Sequence, residues 1–164
     1  MNTSKATTPR KSTPFRIPPK EQDVINHAIS LLERRIFQRG DSLEDPGAVS
    51  QFLRLKLASC KHEAFAMIFV DSQHRVIAFE ELFKGTIDST TVHARVVIQR
   101  ALHYNAAVAF LAHNHPSGKT EPSAADRLLT NSLKALLAHI DVRVLDHFIV
   151  GQGEPFSFAN AGLL

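Results

Sequence analysis

The chain has 164 residues, 44% hydrophobic and 21% charged, which suits one folded domain with its own core. No apolar run approaches the ~20 residues of a membrane-spanning helix, and the single cysteine, Cys60, excludes an internal disulfide or a multi-thiolate metal site and fits a reducing, cytoplasmic setting. The formal charge of +3 belongs to the N-terminal tail: Lys5, Arg10, Lys11, Arg16 and Lys20 stand there without an acid, a local +5 that leaves −2 for the remainder and little basic charge for a folded nucleic-acid-binding face.

Residues 1–20 are rich in Thr, Ser, Lys and Pro, and read as a disordered basic tail because they bury too little apolar surface to offset their ordering entropy. They lack the apolar run of a secretory signal, and Pro9, Pro14, Pro18 and Pro19 oppose the amphipathic helix of a transit peptide. Residues 21–60 read as a helical preface. Val24, Ala28, Leu31, Leu32 and Ile36 recur near helical spacing over residues 21–38, with Gly40 as a C-cap. A second helix fits residues 45–59, with Asp45 as N-cap and Pro46 at the first helical position.

The pattern then shifts to strands. Residues 64–71 and 75–82 are apolar runs joined by Ser72-Gln73-His74, the signature of a hairpin, and residues 85–88 suit a further short strand. Residues 91–104 are helical by period, and Asn105 stops them. Residues 106–112 form a buried strand that leads into His113-Asn114-His115-Pro116. A loop, a helix over 123–140, a strand over 142–150 and a short strand around Phe156 and Phe158 complete the chain. Helices followed by mixed strands and helices predict an α+β class, a layered α/β sandwich; residues 61–164 would form its main domain.

The segment from His113 to Asp126 carries the chemistry. Residues i and i+2 at a strand end point to one side, so His113 and His115 can offer two imidazoles to one point. Pro122-Ser123 opens a helix whose first turn brings Asp126 back toward that point. Two imidazole nitrogens and a carboxylate oxygen are zinc-type ligands, and three protein ligands leave a position for water. A plainer reading stands beside this one. Ser123-x-x-Asp126 is a capping-box variant that needs no metal, and both readings can hold together.

The pattern His-x-His, seven residues, Ser, two residues, Asp resembles the JAMM motif of JAB/MPN metalloproteases, and the wording around it resembles the bacterial RadC-like branch. The likeness extends over roughly 100 residues, from Glu63 through Gly85-Thr86, Ala106-Ala107, the whole motif, Leu145-Asp146-His147 and Ser157-Phe158 to Gly162-Leu163-Leu164. It implies a cytidine-deaminase-like JAB/MPN fold, with a mixed sheet flanked by helices. It further implies one zinc ion held by His113, His115 and Asp126, with Ser123 stabilising a tetrahedral intermediate. A glutamate on an upstream strand would act as base; Glu63 is first choice, Glu81 second and Glu80 third. The implied activity is cleavage of an amide bond in a peptide or protein, in the bacterial cytoplasm and with no membrane attachment. The short loop between His115 and Ser123 argues against deubiquitination.

Other residues read more plainly. Asp146-His147 suits a satisfied polar pair or a partner orienting a ligand histidine. His62 lies beside Glu63, while His93, His103 and His139 read as surface or packing residues. Ser117-Gly118-Lys119 lacks P-loop spacing and suits a turn with Gly118 at positive φ. The signature of zinc deaminases is missing its paired cysteines. A second class of function is a non-catalytic or DNA-repair-associated RadC-like module. Residues 21–60 show no Gly-x-Gly hairpin of the kind that longer family members carry, so nucleic acid would make at most weak phosphate contacts with the basic tail.

Overall fold

The computed structural model describes residues 17–37, 46–85 and 91–164. Helix α1 (Pro19–Ile36) starts inside the segment expected to be disordered, because Pro19 takes a first helical position, where the missing N–H costs nothing. Helix α2 (Pro46–Leu57) follows; the expected caps Gly40 and Asp45 lie outside the described residues. Strands β1 (Ala64–Val70) and β2 (Val76–Lys84) form the expected hairpin. Asp71 shapes its turn, with Oδ1 accepting from the backbone N–H groups of Gln73 (2.8 Å) and Arg75 (2.9 Å). The further strand expected at 85–88 is not seen at Gly85, and residues 86–88 lie outside the described residues.

Helix α3 (Ala94–His103), strand β3 (Val108–Asn114), helix α4 (Ala124–Ala138), strand β4 (Arg143–Val150) and a two-residue strand β5 (Phe156–Ser157) complete the order. The sheet runs β2-β1-β3-β4-β5, with β3 and β4 parallel and the other pairs antiparallel. This is the α+β layout expected from the sequence. Strand β3 runs two residues further than its apolar pattern, through His113 and Asn114. Both neighbours extend the ladder to that point, with Phe65 opposite His113 and Val150 opposite Asn114.

Strands β1 and β3 are buried along their whole length, as central strands covered on both faces must be. On one face Ala64, Ala66, Ile68 and Ala112 pack against Val49, Phe52, Leu53 and Leu57 of α2. On the other, Phe65, Met67, Ala109 and Leu111 pack against Val97 and Ala101 of α3 and Leu133 and Leu137 of α4. The core cluster thus crosses the boundary expected at residue 60. Phe52 is fully buried and meets Phe37 and Phe79 edge-on, at centroid distances of 6.2 and 5.2 Å. Phe52→Ala is expected to cost about 3–5 kcal/mol of stability, the usual range for truncating a buried aromatic ring, read as a shifted urea midpoint at constant slope.

Candidate metal centre

Strand β3 is the platform of the site. Its alternation sends His113 to the α3/α4 side and Asn114 to the α2 side. There the Asn114 Oδ1 accepts from the Ala64 N–H (2.8 Å), and its Nδ2 donates to the carbonyls of His62 (3.1 Å) and Cys60 (3.3 Å). The middle residue of His-Asn-His therefore ties the segment carrying Glu63 to the strand end that carries both imidazoles.

His115 lies one residue beyond β3 and is held in register by its N–H donating to the Val150 carbonyl (2.9 Å). The chain then turns back, with Gly118 at φ +83° as its sequence context predicts, and the Gln152 N–H donates to the Gly118 carbonyl (2.7 Å). A Cβ on Gly151 would stand 2.5 Å from that carbonyl oxygen, so the exit from β4 can pack on the loop only as glycine. The loop so fixed presents the Lys119 carbonyl to His115 Nδ1 at 2.9 Å. A carbonyl only accepts, so Nδ1 carries the ring proton of neutral His115 and Nε2 carries the lone pair.

Asp126 arrives on the first turn of α4. Ser123 caps that helix, its Oγ accepting from the Asp126 N–H (3.1 Å), while Asp126 Oδ2 accepts from the Ser123 N–H (2.7 Å) and hydroxyl (2.6 Å). The capping box is therefore real. It leaves room for metal binding, because it fixes the carboxylate with Oδ1 directed at His113. His113 Nε2 lies 3.2 Å from Oδ1, His115 Nε2 lies 3.5 Å from Oδ2, and the two Nε2 atoms are 2.9 Å apart. One donor atom from each residue lies within 4.8 Å of the other two, in a partly to fully buried place.

The electrostatics favour positive charge at this point. Burial alone would raise the Asp126 pKa, but hydrogen bonds with His113, His115 and Ser123 and the charge of His113 outweigh it and hold the carboxyl well below the ordinary range. His115 is raised, first by its hydrogen bond with Asp126 and against the effect of burial. The Lys119 carbonyl and the charges of Asp126 and Glu63 add to the rise. Two imidazoles and a carboxylate aimed at one point, with the His115 lone pair fixed inward, are a donor set that fits a divalent ion of the zinc class.

The three candidate bases separate. Glu63 immediately precedes β1, its carbonyl accepts from the Gly85 N–H, and its charge is felt at His115. Glu81 pairs across β2–β1 with Ala66, which faces α2, so it lies on the opposite face of the sheet from His113. Glu80 is held by Arg100 and by the Tyr104 hydroxyl, which lower its pKa. Among the other histidines, His93 packs edge-on against Phe83, His103 against Tyr104, and His139 caps the end of α4. His62 contributes its backbone carbonyl to Asn114.

Asp146 and His147 do different things. Asp146 accepts from the Ser157 hydroxyl and from the N–H groups of His147 and Ala159, and so anchors the last turn of the chain. His147 is fully buried and reaches His113 directly, Nε2 to Nδ1, at 2.8 Å; its Nδ1 lies 2.6 Å from Thr130 Oγ1. Burial, and then the charge of His113, push its pKa well down. Thr130 was missed by sequence reasoning, although its place four residues after Asp126 on one helix puts it on the same face.

Comparison with known proteins follows the same residues. The sequence profile of the RadC-like JAB domain matches residues 43–163. A UPF0758 protein of Nitrosospira multiformis is 53% identical over 143 residues, 87% of this chain and 63% of that protein. UPF0758 proteins of Methylibium petroleiphilum and Nitrosococcus oceani are 59% and 55% identical, over 74% and 77% of this chain and 54% and 57% of their own lengths. The chain thus spans somewhat more than half the length of these curated relatives. No helix among the described residues is long and apolar enough to cross a membrane.

Asn114→Ala is expected to cost about 1–3 kcal/mol, because it leaves the buried Ala64 N–H without its acceptor. Amide hydrogen exchange at Ala64 would quicken, whereas exchange along α4 would follow only the global loss of stability.

Proposed function

The chain belongs to the RadC-like JAB domain family, and from that premise we propose that it is a zinc-dependent hydrolase of amide bonds in peptides or proteins. The observation that carries this reading is the convergence of His113, His115 and Asp126 donor atoms within 4.8 Å, with the charge of Glu63 felt at the same place.

In this proposal His113 Nε2, His115 Nε2 and Asp126 Oδ1 are the protein ligands. A zinc ion bound by them would supply Lewis acidity and water acidified to a pKa near ~7. Glu63 takes the proton from the attacking water and returns it to the leaving amine, the two halves of general base and acid catalysis. The tether of Asn114 to the Cys60 and His62 carbonyls and the Ala64 N–H fixes the backbone on both sides of Glu63. Ser123 gives its one hydroxyl proton to Asp126 Oδ2 in this structure and so orients that ligand; as the proposed donor to the developing oxyanion it turns that proton from the carboxylate to the substrate oxygen, while its N–H keeps its bond to Oδ2. The loop between His115 and Ser123 adds no element that would grip a folded protein modifier, which favours an extended peptide substrate.

The test is metal content by mass spectrometry on the full chain, alongside a peptide-cleavage screen. Wild type and Glu63→Gln are expected to retain about one zinc per chain, and Asp126→Ala to lose it, since Asp126 is a proposed ligand and Glu63 is not. Wherever the screen finds a substrate, Glu63→Gln should lower kcat by roughly 10²–10⁴-fold, as loss of a general base does. Equal metal loss in both variants, or cleavage indifferent to Glu63→Gln, would overturn the assignment.

A further inference from the structure

A chain of three hydrogen bonds runs behind the candidate metal centre, and its protons can be placed one by one. Thr130 Oγ1 lies 2.6 Å from the Asp126 carbonyl oxygen and 2.6 Å from His147 Nδ1. The hydroxyl has one proton. Given to His147, it would leave two oxygens facing each other at 2.6 Å with nothing between them. The proton therefore goes to the Asp126 carbonyl, and Thr130 Oγ1 accepts from His147 Nδ1–H. A neutral imidazole with its proton on Nδ1 has a lone pair on Nε2, so His147 Nε2 accepts from His113 Nδ1–H at 2.8 Å. His113 is left with its Nε2 lone pair directed at His115 and Asp126.

We propose that Thr130 and His147 are positioning residues that fix the tautomer and tilt of His113, and that they thereby set the affinity of the centre for its metal ion. This rests on the reading of His113, His115 and Asp126 as a metal site. The same chain joins two of the proposed ligands: Asp126 through its own carbonyl and Thr130, His113 through His147. The His147 plane is set independently, stacked on Phe158 at 4.9 Å and 17° and met edge-on by Phe65 at 6.1 Å. The C-terminal turn that carries Phe158 is anchored by Asp146, which gives Asp146 a structural reason to precede His147. On the other ligand the Lys119 carbonyl does the corresponding work at His115 Nδ1. Both imidazoles thus have their outward nitrogen protonated and their inward nitrogen bare.

The experiment measures zinc affinity of the full chain by competition with a chromophoric chelator, for wild type, Thr130→Val, Thr130→Ser, His147→Leu and His147→Gln. Thermal unfolding of each variant identifies any that does not fold. Thr130→Val and His147→Leu are expected to bind zinc about 10–100-fold more weakly, the usual cost of removing a partner behind a ligand histidine. Thr130→Ser keeps the hydroxyl, and His147→Gln keeps one acceptor and one donor side by side, so both are expected to recover most of the loss. Long-range proton–nitrogen correlation spectra of the zinc-loaded wild type should show Nδ1 protonated on both His113 and His147. A simple packing role would show the same loss in Thr130→Ser as in Thr130→Val. That result overturns the proposal, as does wild-type affinity in folded Thr130→Val, or a proton on His147 Nε2. Absence of zinc binding by wild type would overturn this proposal and the metal-site reading together, whereas wild-type binding with unaffected variants overturns this proposal alone.

Discussion

Three electron-rich atoms cannot be gathered in a partly buried place without a positive charge among them, and that constraint organises this molecule. Two imidazole nitrogens stand 2.9 Å apart with a carboxylate oxygen 3.2 Å from one of them. In water such groups would turn away from each other. Here each is held from behind: His113 by His147, His115 by the Lys119 carbonyl, and Asp126 by the Ser123 cap. The raised pKa of His115 and the depressed pKa of Asp126 express the hydrogen bonds between imidazole and carboxylate at this point. In the proposed reading a divalent ion would supply that positive charge as one centre shared by all three donors.

The fold follows from the need to hold that point still. Strand β3 is central in the sheet, buried along its whole length and hydrogen-bonded on both edges, so its end is a fixed platform. Its end carries His113 and Asn114, one to each face. Antiparallel β1 brings the Glu63 segment to the same end, and parallel β4 brings His147 alongside Leu111, one layer behind His113. Helix α4 then supplies Asp126 and Thr130 from a single face. Precision at the site is inherited from regular elements, with the loop at residues 116–119 pinned by Gly151 and Gln152.

Much of this was legible in the sequence, for reasons that can be named. Alternation put both histidines on one side, and the Pro122-Ser123 start placed Asp126 on a first helical turn; both are local rules, and local rules survive folding. The ladder past Ala112 was not legible, because polar His113 and Asn114 end the apolar pattern while pairing with β1 and β4 continues. The same holds for the hydrogen-bond chain behind His113. His147 reaches it only through the parallel register of β3 and β4, a relation across 34 positions of sequence that no periodicity encodes. The different surroundings of Glu81 and Glu80 likewise show only in the β1–β2 register, which sends Glu81 to the α2 face and leaves Glu80 to Arg100.

The central claim is that two imidazoles and one carboxylate of this chain bind a single zinc ion. X-ray absorption fine structure at the zinc edge, recorded on the zinc-loaded full chain, reads that shell directly. Four light-atom neighbours at about 2.0–2.1 Å are expected, with the outer-shell scattering of two imidazoles and no sulfur. A shell with fewer than two imidazoles, or with sulfur from Cys60, would contradict it.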